Sequence, residues 1–477
     1  MKAATATRGP SGDLHVALLV PDGVGVRNFL LGPFFEQAVE RIPLSLLHAI
    51  PEDSLRRLSS SLRLPTRSQA LLPPAPARVL SFLRKTISYS HLWWGDTRSM
   101  RTSRGRPAAG AWPRRTLEKA TRLFGRAAAF PAGIESLDRL HRFLAARRIE
   151  VEQYRRLLSE WRPSVLFCSH QRPLSVLAPV LAARDLGIPT ATFVFSWDNL
   201  TSKARIAAPF DYYLVWSDLM RRELLDFYPS VAPERVRVVG TPQFDTYARQ
   251  SASWPRAEFF RRVGADPSRP LLCYSGGDAG TCPEDPQHVA ILLDLVRAGR
   301  IAGNPQVLLR PSPVDEGRRY DAVRSRFPEL LYAKPQWIHD GSGDWSRVIP
   351  LPEDVAFLAN LVRHADLNVN VASTMTLDFA VRDKPVVNVA FDVADPPPFG
   401  VPLWEHYYRY EHYRPVVELG AARFARSADE LARHVNDYLA DPALDRDARR
   451  SLVELEIGVP PGDSSGRVLE VLEEIAA

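Results

Sequence analysis

The stretch Asn368-Val-Asn-Val-Ala-Ser-Thr-Met-Thr-Leu-Asp-Phe-Ala-Val-Arg-Asp-Lys-Pro-Val-Val387 decides the fold. An apolar strand closes at Val371, Ser373 and Thr374 are residue types that cap a following helix, and Lys384-Pro385 opens the next strand. A capped helix N-terminus at the carboxyl end of a parallel strand offers free N–H groups and positive dipole character to a phosphate. Asp378, four residues beyond Thr374, has the chemistry to accept hydrogen bonds from ribose hydroxyls. On these residues alone, a plain capped crossover of an α/β sheet reads equally well.

Outward from that stretch the chain alternates strand, loop and helix. Leu271–Tyr274, Val307–Leu309, Leu330–Tyr332, Leu367–Val371 and Val386–Val389 read as one set of strands. His15–Val20, Leu44–Ile50, Ser164–Cys168, Thr190–Phe195, Tyr212–Trp216 and Val236–Val239 read as an earlier set. Amphipathic helices such as Leu174–Leu186, Leu219–Phe227, Val289–Val296 and Val355–Arg363 lie between them. Short continuous apolar runs joined by helices indicate parallel sheets covered on both faces. The polar stretch Tyr247–Pro270, with Pro255, Pro267 and Pro270, separates the sets. The expected architecture is therefore α/β, with two doubly wound Rossmann-like domains (1–250 and 251–455) facing a cleft. A ligand belongs at the carboxyl ends of their strands.

The composition narrows the class. Of 477 residues, 45% are apolar and 24% charged, which excludes wholesale disorder. Cys168, Cys273 and Cys282 form neither a disulfide framework nor a CxxC pair, so no metal site is expected and a reducing, cytoplasmic location is. No run approaches the ~20 apolar residues of a membrane-spanning helix. The net charge of +6 hides a gradient: residues 54–126 hold sixteen Lys/Arg against Asp96 and Glu118, hence +14, which leaves −8 for the rest.

Several strand ends carry chemistry. Leu271-Leu-Cys-Tyr-Ser-Gly-Gly-Asp places Gly276 and Gly277 in a tight loop, and Arg310 emerges from Leu308-Leu-Arg-Pro-Ser-Pro-Val-Asp315. A cation there can meet a phosphate or simply form a surface ion pair. In the first half, Phe195-Ser-Trp-Asp-Asn-Leu-Thr-Ser-Lys203 delivers Asp198 toward the cleft, as a general base or as an Asx-turn former. His170, in Ser169-His-Gln-Arg172, is the rival base, and Arg172 could attract an anion. Asp22, Gly23 and Gly25 follow the first strand, where the glycines admit close approach of a ligand or make a tight turn.

Ser-Thr-x-x-x-Asp followed by Lys-Pro-Val-Val resembles the nucleotide-phosphate segment of GT-B glycosyltransferases, in the version found in CDP-glycerol glycerophosphotransferases and related surface-polysaccharide transferases. The resemblance covers most of residues 160–470. It implies that Ser373 and Thr374 touch the donor diphosphate, that Asp378 touches ribose, and that Gly276, Gly277 and Arg310 join them. It also implies that the 1–250 domain takes the acceptor, with Asp22, Gly23, Gly25 and Lys203 on that side and Asp198 or His170 as catalytic base. Ser312 and the Asp198-Asn199 pair stand where those transferases carry His and His-Gly. Trp404–Arg414, with His406 and His412, is similar to a loop beside the donor or acceptor sugar. Gly462–Leu469 resembles the start of the final helix (456–477), which in GT-B proteins crosses back onto the N-terminal domain.

The implied activity is sugar transfer from a nucleotide-sugar to a glycan or lipid-linked acceptor of the cell surface, with no cofactor or metal. Glycerophosphotransfer from a CDP-polyol and a non-catalytic, membrane-associated assembly role on the same fold are the alternatives. An epimerase of this architecture would carry a Gly-Gly-x-x-Glu-Glu run, which the Ser373 segment lacks. The basic insertion at 54–126 shows no nucleic-acid motif, so nucleic acid is not expected. In Val79–Ile87 and Leu92-Trp93-Trp94, apolar residues alternate with cations, which suits either an anionic membrane surface on the inner face or a solvated insertion.

Overall fold

A computed structural model describes residues 14–73, 77–105, 112–249, 253–339 and 347–477. The expected boundary at 250/251, and Arg106 of the basic segment, lie outside the described residues.

Strands β1 (Val16–Val20), β2 (Leu44–His48), β3 (Ser68–Ala70), β4 (Val165–Cys168), β5 (Thr190–Phe193), β6 (Tyr212–Val215) and β7 (Val236–Val238) make the first sheet. The second holds β8 (Leu271–Ser275), β9 (Gln306–Arg310), β10 (Leu331–Tyr332), β13 (Leu367–Asn370), β14 (Val386–Val389) and β15 (Arg423–Ala425). Between β10 and β13, β11 (Trp337–Ile338) and β12 (Ile349–Pro350) form a small antiparallel pair. The first sheet runs β3-β2-β1-β4-β5-β6-β7 and the second β10-β9-β8-β13-β14-β15, with every pairing in both parallel. This is the α/β, doubly wound pair of domains that the apolar runs require.

Successive residues of a strand face opposite sides of its sheet, and the core divides accordingly. Leu271, Cys273 and Leu308 join an apolar cluster that continues into the first sheet, while Leu272, Tyr274 and Leu309 belong to the cluster on the far face. After β15 the chain returns to the first half. The Ser464–Ala476 helix packs on the Pro33–Arg41 helix and buries Val468, Leu469 and Leu472. Buried Asp245 fixes its start by accepting from the Gly462 and Ser465 N–H groups (2.8 and 2.7 Å) and from Ser465 Oγ (2.6 Å).

The basic segment is folded around the Arg78–Gly95 helix, on which Arg98–Gly105, Trp112–Ala127 and Pro131–Ala145 pack. Leu83, Ile87 and Leu92 are buried, and Leu83 and Ile87, four apart, share one helix face. Trp93 lies beneath the guanidinium groups of Arg104 (3.9 Å) and Arg126 (5.0 Å). Arg84 donates to the Arg205 and Ile206 carbonyls, and Arg98 pairs with Glu405. Leu83, Ile87 and Leu92 of the two runs therefore spend their apolar surface on the core while Val79 stays exposed, and the described part of the insertion is folded rather than a solvated, unstructured stretch.

Candidate functional site

Each sheet reverses its strand order beside its first strand, so the loops leaving β1 and β4, and those leaving β8 and β13, diverge at the carboxyl edges. Open α/β sheets bind ligands at such switch points. Here both face a cleft of ≈ 440 Å³ between the two halves.

At the second switch point, a buried amide ladder shapes the loop. Asn370 lies in register with Ser275 on one side and Asn388 on the other. Asn368 Nδ2 donates to Ser275 Oγ (2.7 Å), Asn370 Nδ2 donates to Asn368 Oδ1 (2.7 Å), and Asn370 Oδ1 accepts the Ser373 N–H (2.9 Å). Ala372 is held at φ +42°, a left-handed backbone that reverses the chain before Ser373 and Thr374 open the Met375–Val381 helix. Ser373 Oγ accepts the Met375 N–H (3.2 Å). Opposite, Gly276 and Gly277 leave no room for a side chain: a Cβ would stand 2.4 Å from Tyr320 Oη and 2.4 Å from Cys282 Sγ, respectively. The Gly277 N–H is held by Asp285 (2.7 Å), whose carboxyl burial pushes up to about 6. Arg310, in register with Ser275, gives Nη2 to both oxygens of Asp354 (3.0 and 2.9 Å), while its Nη1 is buried without a partner. Asp354 also accepts from Trp337 Nε1 (2.7 Å).

At the first switch point, Asp22 and His170 close on each other. Asp22 Oδ1 accepts the Gly25 N–H (3.0 Å), and Oδ2 accepts from His170 Nδ1. Both side chains are buried; burial alone would raise the Asp22 carboxyl, but His170 and the backbone donors hold it below its ordinary value. His170 Nε2 is left buried without a partner, and its ring packs on Phe195, which lines the cleft. Nearby, Asp198 accepts from Ser196 Oγ (2.7 Å), Asn199 Nδ2 (3.0 Å), Ser202 Oγ (3.0 Å) and Lys203 Nζ (2.9 Å). Against the opposing pull of burial, Lys203, His412 and these donors hold its carboxyl far below the usual range. His412 reaches in from the other half, and burial pushes its imidazole down to about 4.

No protein-family model matches this sequence, and no curated protein matches it. Solved structures do. A UDP-GlcNAc 2-epimerase from Neisseria meningitidis, bound to UDP-GlcNAc, superimposes with a TM-score of 0.56 at 10% identity, over 97% of this chain and 100% of that one. A UDP-N-acetylglucosamine 2-epimerase matches at 0.53 and 12% identity, over 97% and 96%. A glycosyltransferase from Rickettsia africae matches at 0.53 and 9% identity, over 98% and 99%. The chain has the GT-B glycosyltransferase-like fold. These matches carry that fold and not the CDP-glycerol subgroup.

Within the GT-B frame, Gly276, Gly277, Arg310, Ser373, Thr374, Asp378, Asp198 and Lys203 all line the interdomain cleft, as do His406 and His412. His170, Asp22, Gly23 and Gly25 stand behind its wall. The two glycines answer to the protein's own packing: a Cβ would lie 1.8 Å from the Val348 carbonyl at Gly23 and 2.3 Å from Ser169 Oγ at Gly25. From that loop it is Val24, Arg27 and Asn28 that reach the cleft. Asp378 accepts from Tyr247 Oη of the first half, and burial raises its carboxyl despite that bond and the nearby Arg27 charge. Arg27 Nη2 donates to Gln243 Oε1 (2.7 Å), so a polar seam runs along the junction. Sequence reasoning missed Gln243, Tyr247, Trp337 and Asp354, along with the wall formed by Ser99, Thr102 and Ser103 of the basic segment. Only the polar Thr241-Pro-Gln-Phe-Asp-Thr-Tyr247 run after β7 offered a signal.

Proposed function

We propose that this chain is a nucleotide-sugar-dependent glycosyltransferase. It moves a sugar onto a cell-surface glycan acceptor, here a lipid-linked one, and works in the cytoplasm at the inner face of the membrane. One observation carries the reading: the carboxyl edges of both switch points meet at one cleft, and the buried polar atoms without a partner include a guanidinium nitrogen at one, Arg310 Nη1, and an imidazole nitrogen at the other, His170 Nε2, behind Phe195. The UDP-GlcNAc bound to the Neisseria meningitidis structure supports a nucleotide-sugar as the donor class.

Breaking the sugar–phosphate bond builds negative charge on the departing diphosphate. Arg310 Nη1 and the N–H groups opening the Met375–Val381 helix meet that charge, and preorganised donors of this kind are the largest single source of rate enhancement in many enzymes. With Nδ1–H committed to Asp22, His170 presents Nε2 as its basic nitrogen. Phe195 stands between this nitrogen and the cleft, so His170 takes the proton of the acceptor hydroxyl once that ring moves aside, while Asp22 steadies the imidazolium. Asp198, with four donors on its two oxygens, holds Lys203 in place and is not the base. Ser99, Thr102 and Ser103 form the acceptor wall.

Thermal denaturation with UDP, GDP, CDP and TDP tests the donor site. One nucleotide should stabilise the wild type and fail to stabilise Arg310→Ala or Thr374→Ala, whereas no stabilisation by any of them refutes the reading. Product analysis tests the chemistry. Acceptor-dependent release of nucleoside diphosphate is the expected result; an epimerised nucleotide-sugar without release would refute transfer.

A further inference from the structure

The exposed apolar surface of this protein is concentrated on the helical insertion, away from the cleft. Leu123 is 70% exposed, Phe124 56% and Phe143 57%, with Leu117, Phe130 and Leu140 also open to solvent. Three of these are the exposed phenylalanines among the described residues. They lie on or between the Trp112–Ala127 and Pro131–Ala145 helices, both packed on the Arg78–Gly95 helix. The first of these helices has three distinct sides. Thr121 and Gly125 are buried, and a Cβ on Gly125 would stand 2.6 Å from Tyr89 Cβ. Leu117, Ala120, Phe124 and Ala127 recur at a spacing of three or four, so they share a second side. Lys119 and Arg126 lie seven apart on the third.

The charges left unpaired on these two helices are of one sign. Glu118 is taken by Arg122 and Tyr89, while Glu135 and Asp138 are held by Arg142 and Arg205. Lys119 and Arg139 have no ion-pair partner among the described residues. Arg147 lies over the Phe143 ring (3.4 Å), which leaves an aromatic and a cation side by side at the surface. Solvent-exposed Leu and Phe beside unneutralised Lys and Arg describe an interfacial helix, whose apolar side chains enter the acyl boundary while its cations meet anionic headgroups. We infer that the exposed face of the Trp112–Ala127 and Pro131–Ala145 helices docks on an anionic lipid bilayer. The inference deepens the transferase reading, because the Arg98–Gly105 helix of the same insertion supplies the cleft wall where a lipid-linked acceptor would enter. It is tested without catalysis.

The full-length chain is floated with vesicles of phosphatidylcholine alone and of phosphatidylcholine with 30% phosphatidylglycerol, at low and high salt. Wild type should bind the anionic vesicles at least tenfold more tightly than the neutral ones and lose that preference in high salt. The double variant Lys119→Glu/Arg139→Glu should weaken binding at least 25-fold, since each cation near the surface is worth roughly fivefold. Leu123→Glu/Phe124→Glu should abolish it. Unchanged melting temperatures show that these surface variants remain folded. Binding indifferent to lipid charge, or wild-type binding by the folded Leu123→Glu/Phe124→Glu variant, overturns the proposal. So does concentration-dependent self-association of the wild type, in sedimentation velocity, that the same variant abolishes, since the face would then join two copies of the chain. Flotation that fails while a nucleotide still stabilises the protein removes the docking surface alone; the reverse removes the transferase reading alone.

Discussion

The two switch points have the same strand order and opposite fillings. In the first half the diverging loops close on each other, with Asp22 against His170 and Gly25 against Ser169, while Gly23 is pressed against the Val348 carbonyl of the second half. In the second half they stay apart, and Gly276, Gly277, Ser373 and Thr374 all line the cleft. The difference decides what each can offer a ligand. The closed point offers one side-chain nitrogen held in a fixed tautomer; the open one offers backbone donors and a guanidinium. Buried polar groups are nearly always satisfied, and His170 Nε2 and Arg310 Nη1 are among those left without a partner, one at each switch point.

The largest effect expected falls on the closed side. His170→Gln should cut acceptor-dependent turnover by roughly 10²–10⁴-fold, the range of general-base catalysis, while leaving nucleotide-induced stabilisation intact. Asp22→Asn should fall in the same direction, because the tautomer is no longer fixed. Turnover that survives His170→Gln but not Asp198→Asn would move the base to Asp198.

On the open side the expected loss is of binding and stability together. Arg310→Leu leaves Asp354 charged and buried without its cation, so urea unfolding should show destabilisation of about 3–5 kcal/mol. Nucleotide stabilisation should vanish as well. A variant that keeps its nucleotide response would show that Arg310 serves Asp354 and Trp337 only.

The comparison was partly legible in the sequence. The inner strands were readable because each is buried on both faces, so the run Val16–Val20 is uninterrupted and Val386–Val389 is broken only by Asn388 of the amide ladder. The strand β3, Ser-Gln-Ala, is an exposed edge with nothing apolar to mark it, and β11 and β12 are two residues each. Ser373, Thr374 and Arg310 could be placed on the cleft because their position at strand ends follows from local order. The Tyr247–Asp378 and Arg310–Asp354 contacts could not, since they join residues 131 and 44 apart through packing alone. The charge of the 54–126 segment was legible, but which of its residues would face inward was not. Leu83 and Ile87 are buried, whereas Leu123 and Phe124 are exposed, because only one side of each helix meets the Arg78–Gly95 spine or the sheet beyond it.

The carboxylates beneath the two glycine loops sharpen the contrast through pH. Asp22 is depressed by its histidine, so its stabilisation is present above the ordinary carboxyl pKa and fades as pH falls through the lower folded value. Asp285 has the opposite sign. Burial raises it to about 6 from 3.8, so its contribution is complete below pH 3.8 and is lost as pH rises through 6. Asp285→Asn should therefore be more costly at pH 4.5 than at pH 7.5 by about 2 kcal/mol, out of a full span of about 3 kcal/mol that begins below pH 3.8. Urea titrations at pH 4.5, 6 and 7.5 measure this, and a penalty constant across them would mean that Asp285 stays ionised throughout.

The smallest effect concerns the bond that crosses between the halves. Tyr247→Phe removes the donor to Asp378 and should cost about 1–3 kcal/mol, the penalty for a buried acceptor left unmet. The resemblance to GT-B transferases gives Asp378 to the ribose, yet the structure gives its Oδ1 to Tyr247. Nucleotide affinity separates the two roles. If Asp378 only ties the halves together, Tyr247→Phe and Asp378→Asn should lose similar stability and leave affinity unchanged. If it exchanges Tyr247 for ribose when the donor arrives, Tyr247→Phe should tighten nucleotide binding, because the competing donor is gone, and Asp378→Asn should weaken it. Opposite signs would make the junction part of the open switch point, and equal ones would make it a fixed seam between an open half and a closed one.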